Sequence, residues 1–313
     1  MTPARACGLA ILALALATCA GCALLSGPPV AEFDVSPLVV YADDQIELDA
    51  SPSAGEIVAY RWDVDGSVEH GRTLTTSFAR AGVYTVRLTV EDGEGRTASA
   101  EREVTVYVRS GTRLFSESFG DGDSALGRWP LDPTWAVQGE GKIESISGGP
   151  GYVLYVNSGR ETLHRRSAKI ELPPLRVGQR LVFSVRVMPL QTQDYHGFFF
   201  APGRSSMAYP PAGLPYYAYS SSYGGSSLHE PSVAGGELTH PVPFAPSVYE
   251  WHTITLSYSA AGYELSADGN VLQTGIMEAD PSRGGPSWLA LGDESLTEGC
   301  QAYFDDLVVS VEE

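Results

Sequence analysis

Ala79-Arg-Ala-Gly-Val-Tyr-Thr-Val-Arg-Leu-Thr-Val-Glu-Asp-Gly93 is the stretch on which the fold turns. Tyr84, Val86, Leu88 and Val90 alternate with Thr85, Arg87 and Thr89, the period of two that belongs to a strand with one face dry and one wet. Ala81-Gly82 precedes the run and Asp92-Gly-Glu-Gly95 follows it, both turn-forming. Outward in both directions the pattern recurs: Ala31 to Val35, Gln45 to Asp49, Ile57 to Trp62, Thr73 to Phe78 and Ala98 to Val108, with Ser51-Pro-Ser-Ala-Gly55 and Asp65-Gly66 as further turns. Short amphipathic strands at regular spacing predict a β-sandwich over residues 30–109.

The chain of 313 residues suits about two such domains. Its 34 glycines, 21 prolines and 16 tyrosines favour many short strands joined by tight turns, so the class is all-β throughout. The formal charge of −18 excludes a nucleic-acid partner, since a polyanion needs a basic stripe and both halves of the chain are acidic.

The N-terminus sets an address. Arg5 precedes the apolar run Gly8 to Ala17, long enough for a signal core and too short to span a bilayer. Ala20 and Gly21 then stand before Cys22, which resembles the lipobox of bacterial lipoproteins. That resemblance implies cleavage after residue 21, lipidation of Cys22, and a membrane partner held through the lipid anchor at the cell envelope, on its periplasmic or extracellular face. Cys19 stands where the aliphatic residue of the motif belongs and is the alternative site. The Cys19-Ala-Gly-Cys22 spacing reads poorly as a redox pair, because no folded site surrounds it to lower a thiol pKa. With Cys7 removed and Cys22 acylated only Cys300 remains, so the folded domains are expected to have no disulfide. Residues 22–29 read as a lipidated linker.

Ile46 to Ser51, Tyr60-Arg-Trp-Asp-Val-Asp-Gly66 and the opening stretch together resemble a polycystic-kidney-disease (PKD) repeat. The resemblance implies an immunoglobulin-like spacer or contact module without chemistry, in which Trp62 packs between two sheets and Asp65-Gly66 turns the chain.

Residues 112–313 continue in strands, with Leu114 to Phe119, Tyr152 to Val156, Ser167 to Leu172, Arg180 to Val187, Tyr195 to Phe200, Trp251 to Ser257, Gly262 to Ala267, Ser287 to Leu291 and Ala302 to Val311 the clearest. Trp251-His-Thr-Ile-Thr-Leu-Ser-Tyr-Ser-Ala-Ala-Gly-Tyr-Glu-Leu-Ser-Ala-Asp-Gly269 resembles the paired strands of concanavalin A-like and laminin G-like jelly rolls, with galactose-binding-like jelly rolls as the structural rival. Phe115, Glu117 and Phe119 share a face, which places a carboxylate among core aromatics and demands a partner. Because first and last strands neighbour each other in these folds, the resemblance brings Glu117 to Asp305 or Asp306, a candidate structural Ca²⁺ site. An arginine partner answers the same demand, and Asp121-Gly-Asp123 is either a further ligand source or a turn.

E-x-D-x-E, G-x-S-x-G, H-E-x-x-H and phosphate-loop strings do not occur. The six histidines show no metal spacing. Between Tyr195 and Tyr249 aromatics cluster among Gly, Ser and Pro on what reads as a long Ser/Gly-rich loop, and Tyr195, His196, Tyr216, Tyr217, Tyr219 and Tyr223 are the candidate ligand contacts, since sugar rings stack on aromatic faces while polar groups fix orientation. The sequence therefore reads as a non-catalytic surface lipoprotein that binds carbohydrate or acts in adhesion. A glycoside hydrolase or lyase using Glu230, Glu237 or Asp194 is one alternative, and a structural lipoprotein that binds envelope proteins is the other.

Overall fold

Strand follows strand because aromatic and β-branched residues are frequent in the periodic runs and Gly, Pro or Asx residues close many of them. The computed structural model describes residues 27–122, 127–129, 140–146, 151–158, 165–190, 197–202, 214–220, 225–231, 236–277, 280–292 and 300–313. Cys22 and the signal-like segment lie outside them. Among the described residues no helix is long and apolar enough to cross a membrane.

The chain divides into two units, residues 1–78 with 83–105, and residues 79–82 with 106–313. The first holds β1 (Asp34–Ser36), β2 (Val40–Tyr41), β3 (Gln45–Asp49), β4 (Ile57–Val64), β5 (Ser67–His70), β6 (Thr73–Ser77), β7 (Gly82–Asp92) and most of β8 (Thr97–Tyr107). A three-stranded sheet in the order β1-β3-β6 and a five-stranded sheet in the order β2-β8-β7-β4-β5 form the sandwich. Trp62 is fully buried between them with Phe33 edge-on at 5.1 Å, and its Nε1 donates to Gly71 O at 2.8 Å. That bond satisfies the one polar atom which burial of the indole would otherwise strand. Asp65 and Gly66 both adopt positive φ, 52° and 78°, which lets a two-residue turn join β4 to β5. Asp92 is buried and accepts from the Glu94 and Arg96 amides and from Arg96 Nε at 2.7 Å.

The second unit begins with β9 (Arg113–Glu117), β10 (Glu140–Ile146), β11 (Gly151–Ser158), β12 (Arg165–Leu172), β13 (Arg180–Pro189) and β14 (Gly197–Pro202). It continues with β15 (Tyr216–Ser220), β16 (Gly225–Pro231), β17 (Glu237–Pro241), β18 (His252–Ser259), β19 (Gly262–Ala267), β20 (Asn270–Gly275), β21 (Gly285–Gly292) and β22 (Cys300–Glu312). One sheet runs β10-β11-β22-β13-β18-β19-β20, with β9 also on β22; the other runs β12-β21-β14-β15-β16-β17. First and last strands pair as the jelly-roll resemblance implies, with Glu117 opposite Leu307.

Alternation sorts the side chains. Leu181, Phe183, Val185 and Val187 of β13 point into the sandwich, where they join Ala168, Ile170, Phe198, Phe200, Leu228, Leu289 and Leu291 from the other sheet. Each large side chain so buried contributes about 1.5–3 kcal/mol. Two core tyrosines keep their hydroxyls bonded: Tyr258 donates to Pro215 O, and Tyr217 pairs with Ser226 Oγ at 2.7 Å.

The expectation of a long aromatic loop between Tyr195 and Tyr249 is corrected here. Four strands, β14 to β17, occupy much of that span and form half of the six-stranded sheet and more. Tyr216 to Ser220 is buried on both of its faces, so it lacks the polar alternation by which a strand announces itself.

Candidate functional site

The registers of the six-stranded sheet place one residue from each strand in a single row on the face turned away from the sandwich core. Ser167 lies opposite Ala290, Ala290 opposite Ala201, Tyr216 opposite His229, and His229 opposite Thr239. The pairing of Phe200 with Tyr217 sets Ala201 beside Tyr216 and completes the row. It starts with three small side chains, rises at an aromatic pair, and ends on a hydroxyl. Trp288, opposite Lys169, stands one step along on the same face.

This face differs from an ordinary solvated one. Ala201, Tyr216, Ala218 and Ala290 form an apolar cluster of their own, apart from the main core, and Ser167, Ser220 and His229 are also buried. The Tyr216 and His229 rings stack at 4.8 Å and 19°. His229 Nε2 lies 2.7 Å from Ser227 Oγ, and Nδ1 lies 3.5 Å from Thr239 Oγ1. Ser167 Oγ, on a side chain 3% exposed, has no hydrogen-bond partner among the described residues. Neutral hydroxyls, an imidazole and aromatic rings are the groups that hold a polyhydroxylated, uncharged ligand.

Of the tyrosines singled out from sequence that lie among the described residues, only Tyr216 reaches this face. Tyr217 is a correction: strand alternation turns it into the core, where it is fully buried and burial pushes its hydroxyl pKa up. Tyr219 has the same parity and packs on the core, its ring 5.5 Å from that of Phe198. Tyr195, His196 and Tyr223 lie outside the described residues, as does Asp194. Glu230 has His240 Nε2 at 3.3 Å. The contact is one of proximity, for His240 Nε2 makes no aligned hydrogen bond. Of Glu237 only the backbone, in β17, is described. Sequence reasoning missed Ser167, Ser227 and Trp288, whose only common feature is a cross-strand register.

The acidic candidates sit on the other sheet. Glu117 is buried, and its partner is Arg128: Nε donates to Oε2 at 2.8 Å and Nη2 to Oε1 at 3.0 Å. The Phe119 amide also donates to Oε1 at 2.8 Å. Arg128 reaches Asp121 as well, at 2.7 Å, which lowers the Asp121 pKa. The carboxylate that sequence placed among aromatics is thus answered by arginine. Asp305 and Asp306 lie at a bulge of β22, where Asp306 takes φ 44°. Asp306 is exposed and pairs with Arg186 at 3.0 Å, whereas Asp305 is 2% exposed and stands 3.9 Å from that arginine. Burial, with Asp306 and Glu117 adding repulsion, pushes the Asp305 pKa up to about 6. Among the described residues no group of three or more His, Cys, Asp or Glu side chains is placed to hold a metal ion.

Residues 26–108 match the family model described as PKD domain. The PKD1 domain of Vibrio anguillarum Epp is 31% identical, over 27% of this chain and 99% of that one, with a TM-score of 0.24. A carbohydrate-binding module from the β-sandwich superfamily, studied for promiscuous specificity, is 17% identical and covers 92% of this chain and 99% of its own, at a TM-score of 0.31. Endo-1,3-β-glucanase from Streptomyces sioyaensis is 14% identical over 64% of this chain and 96% of that one, at a TM-score of 0.44. Among curated proteins none matches the chain. In architecture the chain is a two-sheet sandwich over the residues that match a PKD domain, followed in sequence by a second two-sheet β-sandwich.

Proposed function

We propose that the jelly roll is a non-catalytic glycan-holding module and that its ligand face is the outer face of the six-stranded sheet. One observation carries this reading. The row Ser167, Ala290, Ala201, Tyr216, His229, Thr239 combines rings, hydroxyls and small side chains without a carboxylate, lysine or arginine. Neutral sugars present apolar ring faces and many hydroxyls, and a lining of this composition matches both.

In the same proposal the chain is lipidated at Cys22, the PKD repeat is a spacer, and the protein presents its ligand face at the cell envelope. A permanently tethered protein gains from holding a ligand at the surface, which fits capture better than turnover.

The test is a glycan array probed with the mature chain, followed by titration of Trp288→Ala. Binding of neutral glycans, weakened about tenfold by the substitution, is the expected result. An array that stays blank, while a pull-down yields one stoichiometric protein, would sink the glycan reading in favour of an envelope-protein partner. Cleavage of an array polysaccharide, lost on Glu230→Gln, would sink the non-catalytic part.

A further inference from the structure

We propose that the second unit carries another ligand site, on the outer surface of its other sheet: an open cavity at the β18–β19 turn that takes one uncharged sugar ring, with Arg180 donating to the ring's hydroxyls and Glu264 accepting from them. The site shares no residue with the face described above and does not depend on it.

The cavity follows from the strands that frame it. Val182, Ser257, Glu264 and Thr274 lie opposite one another on the adjacent strands β13, β18, β19 and β20. Their neighbours Leu181, Leu256, Tyr258, Tyr263 and Leu265 face the core, so this row looks outward. Toward the turn the side chains shrink. Ser259 pairs with Gly262, and neither Gly262 nor Gly275 has room for a side chain: a Cβ on the first would collide with Gly275 O, and one on the second with the Tyr263 phenol. What remains is an open cavity of about 420 Å³, with Arg180 at its β13 end and Ile276, 85% exposed, beyond β20. That volume lies near the lower end of the roughly 300–1,000 Å³ of small-molecule sites, which suits one ring better than a polymer.

Polar groups around the cavity lack partners within the protein. Arg180 makes no hydrogen bond among the described residues: its Nε is buried and unpartnered, and its ion pair with Glu312 is 3.8 Å long. The Ser257 hydroxyl, the Glu264 carboxylate and the Thr274 hydroxyl likewise have no hydrogen bond or ion pair among the described residues. A cavity of similar size beside Glu117 differs in this respect, because its Arg128 is engaged by Glu117 and Asp121. The charges then select the class of ligand. Glu264 in the lining and Glu312 against the guanidinium oppose an anion, and Arg180 opposes a cation. Sugar hydroxyls both donate and accept, so neighbouring hydroxyls of one ring serve the guanidinium and the carboxylate together, with Ser257 and Thr274 able to take either part. The Ile276 side chain supplies apolar surface for the ring's C–H face.

The experiment titrates the ¹⁵N-labelled mature chain with the methyl glycosides of glucose, galactose, mannose and xylose, followed by NMR. For at least one of them the Ser259, Gly262 and Gly275 amide signals should move along one saturable curve. Arg180→Ala should weaken that binding about tenfold or more, and Ser257→Leu, which fills the cavity, should abolish it. The melting temperature of Arg180→Ala should stay level, since no hydrogen bond among the described residues is lost. Amides that stay still for all four glycosides would overturn the inference. So would shifts that both substitutions leave unchanged, or tighter binding of galacturonate or glucosamine than of any neutral glycoside. Shifts confined to the Ala201 and Ala290 amides would overturn this site and leave the glycan face of the six-stranded sheet standing, whereas shifts confined to the β18–β19 turn would support this site and remove that face.

Discussion

Replacing Asp305 by asparagine should stabilise the second unit, and should do so only above a defined pH. The Asp305 carboxyl is 2% exposed and its Oδ1 makes no hydrogen bond. Arg186, at 3.9 Å, is too far for a hydrogen-bonded pair and is engaged by Asp306 and by the Trp251 ring. Burial lifts the folded pKa to about 6, against an ordinary value of 3.8. A carboxyl with its folded pKa raised binds its proton more tightly in the native than in the unfolded chain, so stability falls as pH rises between the two values and stays lowered above 6. Two units at about 1.4 kcal/mol each give a penalty of roughly 3 kcal/mol at pH 8. Asparagine keeps an acceptor for the Asp306 amide and carries no charge. For a unit of this size the gain corresponds to roughly 6–12 °C in melting temperature. Calorimetric melts of both proteins from pH 4 to pH 8 provide the assay. The difference should be near zero at pH 4, grow through pH 5 and level off past pH 6. A difference that does not vary with pH, or a variant less stable than the parent at pH 8, would refute the reasoning.

Arg128→Ala leaves the Glu117 carboxylate buried beside Phe119 and Trp129, and should cost about 2–3 kcal/mol by urea denaturation, discounted because Arg128 is half-exposed; Glu117→Gln in the same background should restore most of it. Adding a calcium chelator to the parent protein should leave its midpoint unchanged if Arg128 alone balances Glu117, and a fall would place a cation there. Gly262→Ala should cost at least about 2 kcal/mol and strip hydrogen-exchange protection from β20, since Gly262 takes φ 135° and a Cβ would stand 2.0 Å from Gly275 O. Cys22→Ser in a bacterial expression host should abolish fatty-acid labelling and detergent-phase partitioning, whereas retained label would move the anchor to Cys19.

The first sandwich was legible because its information is local. Tyr84 to Val90 alternates strictly, Asp65-Gly66 is a turn dipeptide, and Trp62 has one pattern-matching place to go. Glu117 was half legible: a carboxylate between Phe115 and Phe119 had to be paired, but the choice between a cation and Arg128, eleven residues on, depends on how the chain after β9 returns. Tyr216, Tyr217 and Tyr219 misled for a physical reason. Tyr-Tyr-Ala-Tyr between Ser, Gly and Pro reads as a decorated loop, and because β15 is covered on both faces no polar residue marks its period. The row from Ser167 to Thr239 was not legible at all. Its six members come from six strands whose order in the sheet, β12-β21-β14-β15-β16-β17, departs from chain order, and no sequence window holds two neighbours of the row until His229 and Thr239.

Asp305 Oδ1 and Ser167 Oγ, two of the buried polar atoms of the second unit without a hydrogen-bond partner among the described residues, differ in origin. Asp305 sits where β22 exchanges one neighbour for another: residues up to Phe304 pair with β11, and from Leu307 onward they pair with β9. That exchange requires the bulge, and the left-handed φ of Asp306 is suited to Asx residues at such a place. The orphaned oxygen of Asp305 follows from topology, which is why its removal should stabilise the fold. Ser167 has no such origin. It lies inside a register that runs unbroken from Arg165 to Leu172, opposite Ala290 on the strand that pairs with β12, where alanine would satisfy the strand and avoid an unpaired hydroxyl.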